Sequence, residues 1–170
     1  TEDVAANCQA DPRGGGLGYR QISERERAAE WSSDATAYLT RRIRAGVVEV
    51  GVDYPPSSLF AHDIGMDFNG GIDFKKGCYI GQEVVSRMKH RGTARRRPVI
   101  VSGVKGGIGD SVLAGERSAG ELGTVSGETA VAIVRLDRIE GAAAATVNGR
   151  PVTLALPDWA SYRFGDSEPV

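Results

Sequence analysis

Apolar residues recur at helical spacing in the first third of the chain. Intervals of four, three, one and four residues place on one helix face Trp31, Ala35, Tyr38, Leu39 and Ile43. We expect this helix to end at Gly46. Its start is open between Ser23, which has capping-box spacing to Glu26, and the Ser33-Asp34 pair, and we favour the later start. A second, shorter helix is predicted from Gly81 to Met88.

Short strand-like runs dominate the second half of the chain. Glycines separate apolar runs after Gly92, and Asn148-Gly149 is typical of a type I′ hairpin turn. Many short strands with glycine turns favour a small antiparallel β-barrel. We predict a boundary near residue 92, a barrel over 92–165 and a tail over 166–170. The predicted strands are Leu17–Ile22, Pro98–Val101, Ala130–Leu136, Ala142–Val147 and Pro151–Leu156.

Composition agrees with a globular protein of one or two small domains. The chain has 170 residues, of which 41% are hydrophobic and 25% are charged. No apolar run is long enough to cross a bilayer, so no membrane partner is expected. Because the chain begins with Thr1 and not with methionine, we expect a fragment whose N-terminal portion is missing.

Charge is unevenly distributed along the chain. The net charge is −1, yet the 26 residues between Glu83 and Asp110 contain seven Lys or Arg residues and no acid. This basic stretch indicates either an anionic partner or an ordinary solvated surface. Its bases are Arg87, Lys89, Arg91, Arg95, Arg96, Arg97 and Lys105.

The two cysteines, Cys8 and Cys78, limit the redox chemistry of the chain. They are too few for a disulfide scaffold or for an all-cysteine metal or iron–sulfur site. We therefore expect two thiols in a reducing compartment, with a cytoplasmic location, although a single disulfide between them stays open. No spacing of His, Cys, Asp or Glu supplies a metal site.

The segment from Asp73 to Glu83 carries the most chemical information. Two lysines precede Cys78, and if the helix opens near 79–81 the thiol lies at its N-terminus. Cations and helix N-termini both stabilise a thiolate, so Cys78 is a candidate reactive group. The alternative is an inert buried cysteine. Gln82 and Glu83 either complement the helix dipole or hydrogen-bond a ligand.

This segment, Lys76-Gly77-Cys78-Tyr79-Ile80-Gly81-Gln82-Glu83, resembles the signature of the YgfZ-type folate-binding proteins. These are relatives of the T-protein, the aminomethyltransferase of the glycine cleavage system. Other stretches resemble the same family, and the likeness covers most of residues 11–105. They are Asp11-Pro12-Arg13 with Leu17-Gly18, Arg42 to Gly46, and Val84 to Gly92.

The resemblance implies an α+β fold: the C-terminal part of a T-protein-like folate-binding domain, residues 1–91, followed by the small barrel. It implies a tetrahydrofolate-binding accessory protein that supports assembly or repair of iron–sulfur enzymes, including tRNA-modifying ones. Such a protein is more an accessory factor than an enzyme. Its partners are folate and iron–sulfur client or assembly proteins. In the signature Cys78 is the functional thiol, and the folate-binding residues are Lys76, Gly77, Tyr79, Gly81, Gln82 and Glu83.

Two positions depart from the family pattern, and two other functions stay open. Val47-Val48 stands where the family often has a proline, and Ala61-His62-Asp63 stands for a Pro-x-Glu-like segment. His62 beside Asp63 is a weak candidate for a general base, and His90 adds to the basic stretch. The alternatives are a folate-dependent aminomethyl or one-carbon transferase and, third, a nucleic-acid-binding module through residues 87–97.

Overall fold

Two short strands and two helices lie in the first half of the chain. The computed structural model describes residues 8–13, 16–24, 32–92, 94–139 and 145–165. Strand β1 (Cys8–Ala10) pairs antiparallel with β2 (Tyr19–Gln21). Helix α1 spans Thr36–Arg44 and helix α2 spans Gln82–Arg91. Turns and irregular chain occupy most of residues 45–81.

A closed antiparallel barrel fills the second half. The described residues form six barrel strands: β3 (Arg96–Ser102), β4 (Ser111–Ala114), β5 (Arg117–Ser126), β6 (Thr129–Arg135), β7 (Ala145–Val147) and β8 (Arg150–Ala155). Their order around the barrel is β3-β6-β5-β4-β7-β8, and β8 pairs back with β3. Closure gives each of these six barrel strands a partner on both sides, so the described barrel has no open sheet edge.

The barrel interior is aliphatic. Val99 and Val101 of β3 and Ala132 and Val134 of β6 have no exposed surface, as expected for alternate residues that face a core. Helix α1 packs against β5 and β6 and buries Ile43 completely. The chain after β8 holds the two halves together, because the Trp159 indole nitrogen donates to the Ala45 carbonyl oxygen at 2.7 Å.

The structure confirms the predicted barrel and its hairpin. Asn148 and Gly149 have φ angles of 51° and 73°, the left-handed conformation that a type I′ turn requires at both positions. The strands predicted at 17–22, 98–101, 130–136, 142–147 and 151–156 all contain a strand, and the ends that fall on described residues are shifted by at most two residues. Residues 142–144 and the tail 166–170 lie outside the described residues.

Both predicted helices exist, with different ends. Helix α1 begins at Thr36, close to the favoured start, and Trp31 lies outside the described residues. Helix α2 begins at Gln82, one residue later than predicted, and continues three residues past Met88. It ends at Gly92, which has a left-handed φ of 55°. The domain limits and the T-protein-like character of residues 1–91 stay predictions.

No helix within the described ranges has the length and apolar character needed to cross a membrane.

Candidate functional site

The signature segment forms an exposed loop in front of helix α2. Asp73 fixes the turn that precedes the thiol, because its Oδ1 accepts the backbone N–H groups of Lys75 and Lys76 at 2.8 and 3.3 Å. The Lys76 Nζ lies 4.5 Å from the centre of the Tyr79 ring. These contacts hold a lysine close to the loop that carries Cys78.

Cys78 is a free, exposed thiol. Helix α2 begins at Gln82 after the N-cap Gly81, whose φ of 89° is left-handed. The helix thus opens within the predicted range of 79–81, and two residues, Tyr79 and Ile80, separate the thiol from its N-cap. The alternative of a buried Cys78 is wrong, because the side chain is open to solvent.

The remaining signature residues differ in exposure and in their contacts. Glu83 forms an i,i+4 ion pair with Arg87. Gln82 is half-buried, and its side chain makes no hydrogen bond to the described part of the chain. Lys76, Gly77 and Gly81 are exposed, and Tyr79 is half-buried. None of these residues lines either of the two clefts described below, and folate binding by the signature stays a prediction.

A cleft of about 340 Å³ lies between helix α2 and the barrel. Val84, Arg87 and Met88 of α2 line it from one helix face, as their spacing of three and four residues dictates. The barrel and the loops supply the other wall, which consists of Phe60, Asp63, Arg95, Arg96 and Arg135. We call this the arginine cleft. A second cleft of about 310 Å³ lies across the barrel surface and shares Arg96 and Arg135 with it.

Asp63, the acid of the arginine cleft, is shielded from solvent. Its exposed fraction is 7%, and its Oδ2 accepts the backbone N–H of Phe60 at 3.1 Å. Burial raises the pKa of the Asp63 carboxyl above its ordinary value, although Arg96 and Arg97 oppose that shift. Sequence reasoning noted this acid only as a departure from the family pattern. The structure places it beside four arginines.

His62 is a buried side chain in this structure. Its exposed fraction is 2%, and neither ring nitrogen has a hydrogen-bond partner among the described residues. Burial lowers the pKa of His62, so the neutral ring is favoured. The ring lies 6.3 Å from that of Phe74, centre to centre. A ring enclosed in this way is not placed to take a proton from a substrate, so the geometry does not favour the general-base hypothesis.

The basic stretch is divided between surface and interior. Arg97 is buried, donates to Asp67 Oδ1 and Oδ2 at 2.8 and 3.0 Å, and donates to the His62 carbonyl oxygen. Its guanidinium also lies 5.0 Å from the ring centre of Phe68. Arg97 is therefore a structural residue and is unavailable to a phosphate backbone, which weakens the nucleic-acid hypothesis. Lys89, by contrast, is exposed over Phe74, with its Nζ 3.6 Å from the ring centre.

The structure also shows functional candidates that the sequence did not indicate. Arg135 enters the arginine cleft through the register of the sheet, where it pairs with Arg96 across β6 and β3. Phe60, Val84 and Met88 supply its apolar wall. No local pattern marks these residues, because they come from three separate segments. The described residues contain no cluster of three or more His, Cys, Asp or Glu placed to hold a metal ion.

The barrel matches a known domain family. Residues 94–162 match the family model described as "CAF17, C-terminal beta-barrel domain". The barrel is similar to this domain. This match agrees with the six closed strands, and it covers less than half of the chain.

Curated relatives extend the similarity to the first half of the chain. The mouse protein "Iron-sulfur cluster assembly factor IBA57, mitochondrial" is 30% identical over 164 residues, which cover 88% of this chain and 46% of that protein. The human protein of the same name is 30% identical over 171 residues, covering 92% and 48%. A homologue from Mycosarcoma maydis is 36% identical over 104 residues, covering 58% and 26%. The chain thus spans less than half the length of these relatives.

The comparisons contradict the expected location of the protein. These relatives are named as mitochondrial proteins, whereas cysteine usage predicted a cytoplasmic location. Two cysteines without a disulfide scaffold are compatible with any reducing compartment. Cysteine usage therefore could not distinguish a cytoplasmic from a mitochondrial location. The similarity to iron–sulfur assembly factors agrees with the predicted function class. The finer YgfZ-type assignment stays a prediction.

Proposed function

We propose that this chain is part of an iron–sulfur cluster assembly factor in which Cys78 is the reactive thiol. The observation that carries the proposal is the exposed Cys78 on a loop shaped by Asp73, in a chain similar over most of its length to named assembly factors. An exposed thiol can reach a metal centre on another protein, whereas a buried one cannot.

The number of ligands that an iron–sulfur cluster needs requires a partner protein. Iron–sulfur clusters are usually held by about four cysteine thiolates. The described residues offer Cys78 without any cluster of further His, Cys, Asp or Glu ligands. Cys78 therefore supplies one ligand to an iron held mainly by a client or assembly protein. The Sγ lone pair forms the bond to iron, the thiol proton passes to solvent, and the ligand that Cys78 replaces stays with the partner.

Charge on the loop supports contact with an acidic partner surface. Lys75 and Lys76 are exposed immediately before the thiol, and Asp73 uses its Oδ1 to hold their backbone in a turn. Ile80, two residues after the thiol, is fully exposed at 105% of its reference area. An exposed isoleucine that follows two exposed lysines by four and five residues is suited to a partner that presents an apolar pocket with an acidic rim.

Tetrahydrofolate binding remains part of the proposal for the whole protein, since the family resemblance implies it. No step of the thiol chemistry above depends on folate. Tritium-labelled tetrahydrofolate and equilibrium dialysis with the chain provide a direct measurement. Binding that is lost in a Gln82→Ala, Glu83→Ala double variant would assign the signature to folate, and undiminished binding would move the folate site elsewhere.

A complementation assay tests whether the factor needs the Cys78 thiol. Cells that lack their own copy of the factor receive the parent gene, the Cys78→Ala variant or the Cys8→Ala variant. The activity of a cluster-dependent enzyme is then measured, with immunoblots to show equal protein levels. We expect rescue by the parent and by Cys8→Ala, but not by Cys78→Ala.

Cys8→Ala is the matched control, because Cys8 is the other free thiol and lies half-buried in β1. Equal rescue by the Cys78→Ala variant would refute a role for the thiol. Failure of the parent gene itself would count against the assembly function and favour the folate-dependent transferase alternative.

A further inference from the structure

The loop that carries Cys78 has little packing of its own. Of residues 75–81 only Tyr79 is half-buried, and the other six are exposed. A Cβ placed on Gly77 or on Gly81 would meet no atom within 4 Å. Because so few contacts hold this loop, its conformation depends on how its two ends are fixed. Helix α2 fixes the end that follows Gly81.

Phe74 fixes the other end of the loop. Lys89, about two turns into helix α2, places its Nζ 3.6 Å from the centre of the Phe74 ring, within the range of a cation–π contact. The His62 ring lies 6.3 Å from the same ring, centre to centre, with the two planes inclined by 57°. Aromatic rings favour such tilted arrangements. The residue that begins the loop is therefore tied to the helix and to the segment that contains His62.

His62 is itself fixed to the barrel. Its carbonyl oxygen accepts Arg97 Nη1, and Arg97 belongs to β3. The same guanidinium donates to the Asp67 carboxylate at 2.8 and 3.0 Å, which holds the segment after His62 against the barrel. The backbone N–H of Gly65 also donates to the His62 carbonyl oxygen, at 3.0 Å. A buried ring held in this way gives Phe74 a rigid support.

We propose that Phe74 is a positioning residue for the Cys78 thiol. Lys89 and His62 hold its ring, and the ring holds the start of the loop. The turn at Asp73 extends this constraint toward the thiol, because Asp73 Oδ1 accepts the two backbone N–H groups that follow Phe74. A thiol that is already held in place loses less conformational freedom when it meets the iron of a partner protein. This inference rests on the proposed function, which makes Cys78 the reactive thiol.

Electron paramagnetic resonance of a nitroxide on Cys78 measures how firmly the thiol is held. The label is attached to the whole chain carrying Cys8→Ala, which leaves a single thiol. The spectrum separates ordered from mobile label. A cation–π contact at an exposed site corresponds to about a two- to fivefold shift in an equilibrium, so Lys89→Met should raise the ratio of mobile to ordered label by this factor. Phe74→Leu removes the ring from both of its partners and should raise the ratio at least as much.

Two control variants separate the ring contact from the loss of a charge. Lys89→Arg keeps a cation that can lie over the Phe74 ring, so it should retain the parent ratio. Arg91→Met removes an exposed cation from the same last turn of α2, and Arg91 contacts no ring within the described part of the chain. It should also retain the parent ratio. Because Lys89 and Arg91 are exposed, both methionine variants should melt at the parent temperature, which assigns a change in label mobility to the loop and not to the fold.

Three results would overturn the proposal. The first is a label that is already wholly mobile in the parent, and the second is a ratio that Lys89→Met leaves unchanged. The third is an equal rise in Lys89→Met and Arg91→Met, which would reduce the effect to charge. The spectra need no iron–sulfur enzyme, so full rescue of cells by Cys78→Ala would refute the proposed function and leave them unaltered. If both proposals hold, Phe74→Leu should also weaken rescue at equal protein level, and Lys89→Arg should rescue fully.

Discussion

Replacement of Asp53 by asparagine tests what holds the first half of the chain to the barrel. The Asp53 side chain is completely buried and accepts four hydrogen bonds. Its Oδ1 accepts the backbone N–H and the hydroxyl of Thr124, both at 2.6 Å. Its Oδ2 accepts Arg42 Nη1 at 2.5 Å and the Glu49 backbone N–H at 2.7 Å. Helix α1, the following turn and β5 thus meet at one carboxylate.

Asparagine cannot satisfy this arrangement in either orientation. An amide has one acceptor oxygen, so its NH₂ group must face two donors wherever it points. The substitution also leaves Arg42, which has no exposed surface, without its buried counter-charge. Removal of one partner from a buried ion pair costs about 3–5 kcal/mol. Because Glu49 lies 3.6 Å from Arg42 Nε and is partly exposed, we expect a loss near the lower end, about 3 kcal/mol.

Urea unfolding followed by circular dichroism measures this loss. Asp158→Asn is the control, since Asp158 is exposed, and it should change the free energy of unfolding by less than about 0.5 kcal/mol. In a double-mutant cycle with Arg42→Met, the two substitutions should couple by more than about 1 kcal/mol. A cost below about 1 kcal/mol for Asp53→Asn, or additive effects in the cycle, would refute the reasoning.

Three further substitutions follow from contacts in the fold. Gly120→Ala places a Cβ 2.1 Å from a backbone carbonyl oxygen of the neighbouring strand, and we expect a loss of about 1–3 kcal/mol in urea unfolding. Gly107→Ala, where no atom lies within 4 Å, is its control and should melt at the parent temperature. Burial lowers the pKa of His62, so the unfolded state takes up its proton first and stability should fall as the pH drops below about 6.5. The free energy of unfolding should be lower at about pH 5.5 than at about pH 7.5 in the parent, and this difference should be smaller in His62→Gln. An equal difference in the two proteins would contradict the prediction. The Tyr162 hydroxyl donates to a buried β3 carbonyl at 2.7 Å, so its replacement by phenylalanine should cost about 1 kcal/mol in the same assay. An unchanged free energy of unfolding would show that a water molecule replaces the Tyr162 hydroxyl as the hydrogen-bond donor.

The elements that the sequence predicts well are those determined by local chemistry. The β7–β8 hairpin depends on two adjacent residues, Asn148 and Gly149, which tolerate the left-handed conformation that the turn needs. The end of helix α2 is also marked locally, since Gly92 is a left-handed C-cap, but the predicted helix ends three residues before Arg91, at Met88. The residues after Met88 are basic, and the helix dipole favours basic residues in a last turn.

Charged residues whose partners are distant in sequence could not be assigned in this way. Arg97 belongs to an acid-free stretch and is interpreted as a surface base, yet its partner Asp67 lies 30 residues earlier and draws it into the interior. Arg42 reaches Thr124 across 82 residues. The arginine cleft has the same origin, because the pairing of β3 with β6 sets Arg135 opposite Arg96.

The arginines of this chain fall into buried residues with a carboxylate partner and exposed residues on the barrel surface. Arg42 and Arg97 are removed from water, and each has a carboxylate within 2.8 Å. Desolvation of a guanidinium is costly, and such a partner is what makes its burial tolerable. Arg96 avoids that cost by staying exposed, although it lies opposite Arg135 and makes no hydrogen bond or ion pair within the described residues. Its charge acts instead on the carboxyl of Asp63, whose pKa it lowers against the effect of burial. Water and the Asp63 carboxyl therefore offset the repulsion from Arg135, which is itself paired with Asp137.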